Sequence, residues 1–448
     1  MLRLFFSRNR VFTKLDHQIS RSASTQNLNR IFQTHPVMCD DDQLKEYLYE
    51  KQQAHLKNLT LCKNLKNWYF DQVVDQFGSD AGEKFKENCI IAPFGSSVTY
   101  LSTKDSDLDI GVFYQNYTDE MSLTDLVKFT DSTYIKNTKN PYPIDFYKMA
   151  RKRKKKNAEN SRFHLVSVSA KKNKNYDIVF STSSHNFHNS KYINRICSID
   201  LNVFRYVALV RYCLKEGRLN FSDRNRGNFM FTSYCITTLA IVYLQIEGFI
   251  PRLNHLQRGN NNERKYKNPE LLIDLGDSKT AEKFERYAKL DDECRVSVLN
   301  LNEVSENIVY DMNYTTSRMI LKKEIEDLPQ LTIDFWKWLM ELIDSDQEHS
   351  IVIDSRRAKI FSSKTLSQYY HSMYRMIPCD LSNGTNVDFL KKSQLTVFDP
   401  LEVMHNTCRK YMSTKTGGAN RKNNCRKQMD LIVRSLIKSK VYEEDDSL

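Results

Sequence analysis

Glycine and proline are scarce in this 448-residue chain, at 12 and 9 residues, which excludes collagen-like and low-complexity organisation. Ten cysteines are present, yet none forms a CxxC pair and none clusters with histidine at zinc-ligand spacing. Several lie in apolar helical runs and read as small core residues, reduced thiols of an intracellular compartment. A clean apolar run of bilayer length is also missing. The longest candidate, Phe229 to Ile250, is interrupted by Thr232, Ser233, Thr237, Thr238, Gln245 and Glu247. It reads as a buried core helix rather than a membrane span. No internal repeat is visible.

What is there suits a folded protein of two or three domains: 448 residues, 40% of them hydrophobic, with 24 Tyr, 24 Phe and 3 Trp. Lys and Arg number 67 against 55 Asp and Glu, a net charge of +12, so a polyanionic partner fits through counterion release. The basic run Arg151 to Lys156 is a solvated loop or a nucleic-acid contact. Residues 1–38 carry six Lys or Arg and one acid, Asp16. That composition is that of a mitochondrial transit peptide; the alternatives are a basic arm, or a leader bypassed by starting at Met38.

Apolar spacing of three and four predicts helix over residues 40–88, opened by a run of Asp that suits a helix N-terminus. "CIIAPFG" reads as a short buried strand ending in a turn. "SDLDIGVFY" is a second strand, with Leu108, Ile110 and Val112 on one face and Asp107, Asp109 and Gly111 on the other. Residues 162–181 give two more strands, around 165–168 and 176–180, joined by a Lys/Asn turn. From about 190 the period becomes helical, over 194–217, 229–248, 331–344 and 399–412. Residues 252–330 look like an insertion of helices and loops.

Asp107 and Asp109 share one strand face, expected on the solvent side, and two carboxylates so placed repel unless a cation lies between them. Hard divalent ions take carboxylate oxygens and keep substrate phosphates as further ligands. A pair of such ions activates a hydroxyl and neutralises a leaving pyrophosphate. A third carboxylate is expected on a neighbouring strand, and Asp177 in "YDIVF" suits. Upstream, Gly95 lets backbone approach a phosphate and Ser96 can cradle it, ideally at a helix start. "DxD" alone means little; Gly-Ser, then DLDI, then a lone strand Asp is far more specific.

With these motifs the sequence resembles the polymerase-β-type nucleotidyltransferase superfamily. Within it, it is similar to the terminal RNA nucleotidyltransferases, the cytoplasmic-type poly(A) and poly(U) polymerases. The likeness covers residues from about 45 to 410, with 252–330 weakly matched. It implies an α+β chain: a mixed-sheet, palm-like catalytic domain over 39–188 and a mostly helical poly(A)-polymerase-associated domain over 189–412. Residues 1–38 would be a leader and 413–448 a charged tail. It implies that Asp107, Asp109 and Asp177 hold two Mg²⁺ or Mn²⁺ ions. "FHNSKYI" matches the family's ribose-reading segment through Asn189. Arg211 and Lys215 stand for its two phosphate-binding lysines, Arg replacing the first. "FTSY" matches through Ser233 on phosphate and Tyr234 on the base, and "FDPLEVMH" through Asp399 and Glu402 in the base pocket. There Leu401 replaces the usual aromatic, and His405 occupies the place of a histidine found in uridine-preferring members.

The implied activity is template-independent addition of ribonucleotides to RNA 3′ ends, with UTP favoured. The alternatives are a poly(A) polymerase, organellar if the leader is real, a silent RNA-binding scaffold on the same fold, or a relative acting on small nucleotides or antibiotics. The chain shows no RNA-recognition module, so a protein partner that selects target RNAs is expected, and no membrane. By resemblance the location is cytoplasmic, or mitochondrial if residues 1–38 are a transit peptide.

Overall fold

The computed structural model describes residues 40–102, 106–114, 121, 123–130, 146–150, 163–170, 175–181, 185–216, 231–253, 309–310, 320–344, 351–355, 357–362, 395–400, 402–403, 407–408 and 425–437. Helix α1 (Asp41–Phe77) opens on Asp40, whose carboxylate accepts from the Asp42 and Gln43 amides at 3.0 and 2.9 Å. Asp41 and Asp42 in its first turn complement the positive end of the helix dipole. Gly78, at φ +89°, stops it, and α2 (Ser79–Asn88) starts afresh. The single helix expected over 40–88 is therefore two. Leu44 near the start of α1 is buried in the helical core, whereas Cys62, Leu65, Trp68, Tyr69 and Val73 belong to the core under the sheet.

That sheet has five strands: β1 (Cys89–Phe94), β2 (Leu108–Tyr114), β3 (Phe146–Ala150), β4 (Phe163–Ala170) and β5 (Asn175–Ser181). The order is β1-β2-β5-β4-β3, with β2 and β5 parallel and every other pair antiparallel, so the sheet is mixed. Period-two alternation turns Ile110, Val112, Tyr114, Ile178 and Phe180 to one face. They pack on Trp68 and Tyr69 of α1, Phe85 of α2, and Leu126 and Phe129 of α3 (Leu123–Phe129). Each such side chain taken from water contributes about 1.5–3 kcal/mol. The opposite face carries the acids.

The second region is helical: α4 (His185–Cys197), α5 (Leu201–Glu216), α6 (Ser233–Ile246), α7 (Leu328–Asp344) and α8 (residues 425–437). The helix expected over 194–217 is interrupted because Asp200 accepts from the Asn202 amide at 2.7 Å, a local bond that opens α5 as a new helix. Thr232 caps α6 by accepting from the Cys235 amide at 3.0 Å. Residues Cys235 to Gln245 of α6 are buried all round, as the apolar run predicts, and no described helix is long and apolar enough to cross a membrane.

Three expectations need correction. Part of the supposed charged tail is α8, whose Cys425, Met429, Ile432, Val433 and Leu436 recur at helical spacing and sit in the helical core. The helix expected over 399–412 is absent from the described residues. Residues 402–403 form β10 (Glu402–Val403), paired with β6 (Val309–Tyr310), and Thr407 donates its amide to the Val397 carbonyl at 2.8 Å. A small sheet of β7 (Ile351–Asp354), β8 (Lys359–Ser362) and β9 (Leu395–Val397), in the order β8-β7-β9, leads into that segment. Asp399-Pro400 reads locally as a helix start, but pairing across strands overrides it. Lastly, the cysteines are not all free. Cys235 and Cys408 form a disulfide with Cα atoms 6.0 Å apart, while Cys62, Cys89, Cys197, Cys213 and Cys425 are buried outside any disulfide.

Candidate active site

Strand β1 delivers Phe94 opposite Asp109, and the chain then turns sharply at Gly95. Residues Gly95–Ser97 form one 3₁₀ turn, not the longer helix start that the Gly-Ser pair suggested. Gly95 lies at φ +70°, and a Cβ there would sit 2.5 Å from Oδ2 of Asp109. Only glycine permits both the left-handed backbone and that approach. Ser96 is half-buried on this turn.

Helix α4 fixes the turn from behind. The Gly95 amide donates to Ser190 Oγ at 2.7 Å, and Ser190 Oγ donates to the Asn186 carbonyl at 2.7 Å. One turn on, Asn194 Nδ2 donates to the Val98 carbonyl at 2.7 Å. Neither Ser190 nor Asn194 was singled out from sequence. The signal was there in Asn186, Ser190 and Asn194, spaced by four along "NFHNSKYIN".

The parallel pairing of β2 and β5 sets Asp109 directly against Asp177. Registered residues of neighbouring strands share a face, with backbones about 4.8 Å apart. Asp107 stands two residues earlier, exposed, just ahead of β2. Asp109 is less open than its expected solvent-side position. Burial raises its carboxyl from 3.8 to about 7, and the charges of Asp177 and Asp107 push the same way, while Arg211 pulls it down. Among the described residues no group of three or more His, Cys, Asp or Glu is already drawn together in ion-holding geometry. The donor chemistry nonetheless fits a hard divalent cation. Three carboxylates interact closely enough for one to resist ionisation, and an added positive charge would reverse that penalty.

Arg211 of α5 is half-buried and acts electrostatically on Asp109. Burial pushes its guanidinium pKa down, and Cys197, Tyr212, Asp109 and Tyr47 pull it back up. Lys215, one turn further, is exposed, so the two cations occupy different settings.

Asn189, Tyr234 and Asp399 meet. The buried Asp399 carboxylate accepts from Asn189 Nδ2 at 2.9 Å and from the Tyr234 hydroxyl at 2.6 Å, both through Oδ2. Residues 189 and 399 lie 210 positions apart, so the bond joins the start of α4 to the end of β9. Ser233 is the half-buried first residue of α6. Glu402 lies in β10, and Leu401 and His405 fall outside the described residues, as do Arg151 to Lys156.

A mixed sheet with an Asp pair across parallel strands, fed by a Gly-Ser turn, is the arrangement of a nucleotidyl-transferring palm. Residues 75–178 match the family model of the nucleotidyltransferase domain, and the chain carries that domain. Its fold is also that of mtPAP. The crystal structure of mtPAP in complex with CTP matches 90% of this chain and 69% of its own, at 15% identity and a TM-score of 0.51. The complex with ATPγS matches 93% and 69%, at 15% identity and a TM-score of 0.50. An ATP-bound form of the Cid1 poly(U) polymerase matches 88% and 89%, at 15% identity and a TM-score of 0.48. The chain spans 60–70% of the length of the mtPAP chains. No curated protein matches it by sequence.

Proposed function

We propose that this protein is a template-independent RNA 3′-terminal nucleotidyltransferase, with UTP as its favoured substrate. The reading rests on one observation above all: Asp109 faces Asp177 across parallel strands, with the Gly95 backbone and the charge of Arg211 on the same carboxylate. In the reaction the terminal 3′-hydroxyl of RNA attacks the α-phosphorus of the nucleoside triphosphate, and pyrophosphate leaves.

Asp107, Asp109 and Asp177 would hold Mg²⁺ or Mn²⁺, which when bound supplies neutralisation of phosphate charge and acidification of the attacking hydroxyl. The chain's own groups do the rest. Asp177 is the carboxylate available to take the hydroxyl proton or to stay a ligand. The Gly95–Ser97 turn presents backbone and the Ser96 hydroxyl to the phosphates, and Arg211, with Lys215 and Ser233, offsets the growing charge on the leaving group. Asn189 reads the ribose, held to that task by its bond to Asp399, and Tyr234 lies under the base. Glu402 and His405 would complete the base pocket, His405 meeting uracil and crowding out a larger purine.

The experiment is tailing of a generic single-stranded RNA by pure protein with one labelled nucleoside triphosphate at a time. Uridylate addition that disappears in the Asp107→Ala, Asp109→Ala double variant is the expected result. Adenylate addition alone would move the assignment to a poly(A) polymerase. No transfer with any nucleotide and any divalent ion would leave a scaffold on this fold.

A further inference from the structure

The turn between β7 and β8 is buried, although hairpin turns ordinarily lie at the surface. Ser355, Arg357 and Ala358 are each no more than 4% exposed, and Ala358 lies at φ +48°, in the left-handed region that residues with a Cβ avoid. The turn also holds charge. Arg357 Nη1 donates to Asp354 Oδ2 at 3.1 Å, and the Arg357 amide reaches the other carboxylate oxygen at 3.3 Å, with Asp354 equally buried. A buried ion pair gains little stability, because desolvation offsets the attraction, and the left-handed alanine costs some. What the two achieve together is one fixed conformation of the turn.

That turn lies against the chain leading to Asp399. Strand β9 runs parallel to β7, with Ile353 opposite Val397. The Phe398 amide donates to the Ile353 carbonyl at 3.0 Å, and Ser355 Oγ donates to the Phe398 carbonyl at 2.6 Å. Thr407 donates twice to the Val397 carbonyl, through its amide at 2.8 Å and its Oγ1 at 3.0 Å. Both peptide groups ahead of Asp399 are therefore held, while Pro400 behind it confines its backbone to extended conformations.

We infer that Ser355 and Thr407 are positioning residues for Asp399: they fix the two peptides from which its carboxylate projects to Asn189 and Tyr234. One oxygen of that carboxylate meets Asn189 Nδ2 at 2.9 Å and the Tyr234 hydroxyl at 2.6 Å. Rotation of the 398–399 peptide would swing it off both donors, and hydrogen bonds weaken steeply with such misalignment. Ser355 holds the carbonyl of that peptide directly. Thr407 acts one peptide earlier and keeps its amide bond even without its hydroxyl, so Ser355 carries the larger share.

The inference rests on the nucleotide-binding part of the proposed function, in which Asn189 reads the ribose and Tyr234 lies under the base. Binding of UTP and of dUTP, in Mg²⁺ and without RNA, is measured for wild type, Ser355→Ala, Thr407→Val, Asp399→Ala and the Ser355→Ala, Asp399→Ala double variant. Loss of the Ser355 bond predicts about fivefold weaker UTP binding and a narrower preference for UTP over dUTP; Thr407→Val predicts about twofold. In the Asp399→Ala background Ser355→Ala is expected to change nothing, because the two act as one unit. Unchanged UTP affinity in Ser355→Ala overturns the inference. So does a loss that persists in the Asp399→Ala background or falls equally on UTP and dUTP, the mark of general packing damage. Should Ser355→Ala not fold, Thr407→Val decides, and affinity equal to wild type there overturns the inference. A wild type that binds no nucleotide, or binds UTP and dUTP alike, defeats the nucleotide-binding reading and this inference with it. One that binds UTP but never transfers it defeats the transferase reading alone, and the variants still decide the roles of Ser355 and Thr407.

Discussion

Replacing Asp109 by Asn should make the metal-free protein more stable while abolishing its activity. The carboxyl of Asp109 rises from 3.8 to about 7 on folding, chiefly because it is buried and then because Asp177 and Asp107 repel its charge. A rise of that size corresponds to roughly 4 kcal/mol of penalty on the ionised form. The sign follows from proton linkage. Below pH 3.8 the group is protonated in both states and costs nothing. Between 3.8 and 7 the unfolded chain releases the proton and the folded chain keeps it, so stability falls as pH rises, and above 7 the full cost applies. Asparagine keeps the shape without the charge. At pH 8 in a chelator the variant is expected to gain about 2–4 kcal/mol, the lower figure allowing for relaxation of the two remaining acids. For a domain of this size that is a rise of roughly 5–12 °C in melting temperature. The gain should shrink through pH 6 and vanish near pH 4. Added Mg²⁺ or Mn²⁺ should stabilise the wild type strongly and the variant weakly. Thermal melts across pH, with and without the ion, check all of this. A variant no more stable than wild type at pH 8, or a gain independent of pH, would refute the electrostatic account of the acidic face.

Other outcomes follow from the same geometry. Gly95→Ala places a methyl 2.5 Å from the Asp109 carboxylate on a left-handed backbone. It should cost about 1–2 kcal/mol in backbone terms alone and lower transfer at least tenfold, read by melting and by tailing. Ser190→Ala leaves the Gly95 amide without its acceptor, so about 1–3 kcal/mol of stability and a weaker hold on triphosphate are expected, read by denaturation and nucleotide titration. Tyr234→Phe takes a donor from the buried Asp399 carboxylate, costing about 1.5–3 kcal/mol and raising KM for the nucleotide more than it lowers the rate. The Cys235–Cys408 disulfide closes 173 positions of chain, so its reduction, or Cys235→Ser, should lower unfolding stability by about 2–5 kcal/mol; non-reducing peptide mapping verifies the bond.

The acidic face was legible in the sequence because β-strand periodicity fixes it locally. Leu108, Ile110 and Val112 had to face the core, which left Asp109 on the other side, and the same alternation around Asp177 marked its partner strand. The glycine of the Gly-Ser turn was legible as an approach of backbone, although not that the thing approached is Asp109 itself. What escaped is what depends on distant chain. The bond between Asp399 and Tyr234 spans 165 positions, and the hydrogen bonds from Tyr47 and Lys51 to Ser102 join a helix to a loop more than fifty residues on. The segment after Asp399 has helical spacing and a proline suited to a first turn, yet it pairs as strand with Val309 and Tyr310, from the stretch read as an insertion. Gly78 and Asp200 were read as parts of continuous helices, because one breaker inside strong apolar periodicity is easily outvoted. The all-thiol reading failed for the same reason as the helix over 399–412: Cys408 has no local feature that announces Cys235.

The meeting of Asn189 and Tyr234 on one Asp399 oxygen also dictates an order of events during synthesis. The palm sheet closes with β5, and its acids can stand in register while the ribosome is still translating the helical region. The pocket that would grip the sugar and base stays open until residue 399 has emerged, some two hundred codons later. A nascent or prematurely terminated chain would therefore carry the acidic face without the Asn189–Asp399–Tyr234 contacts beside it.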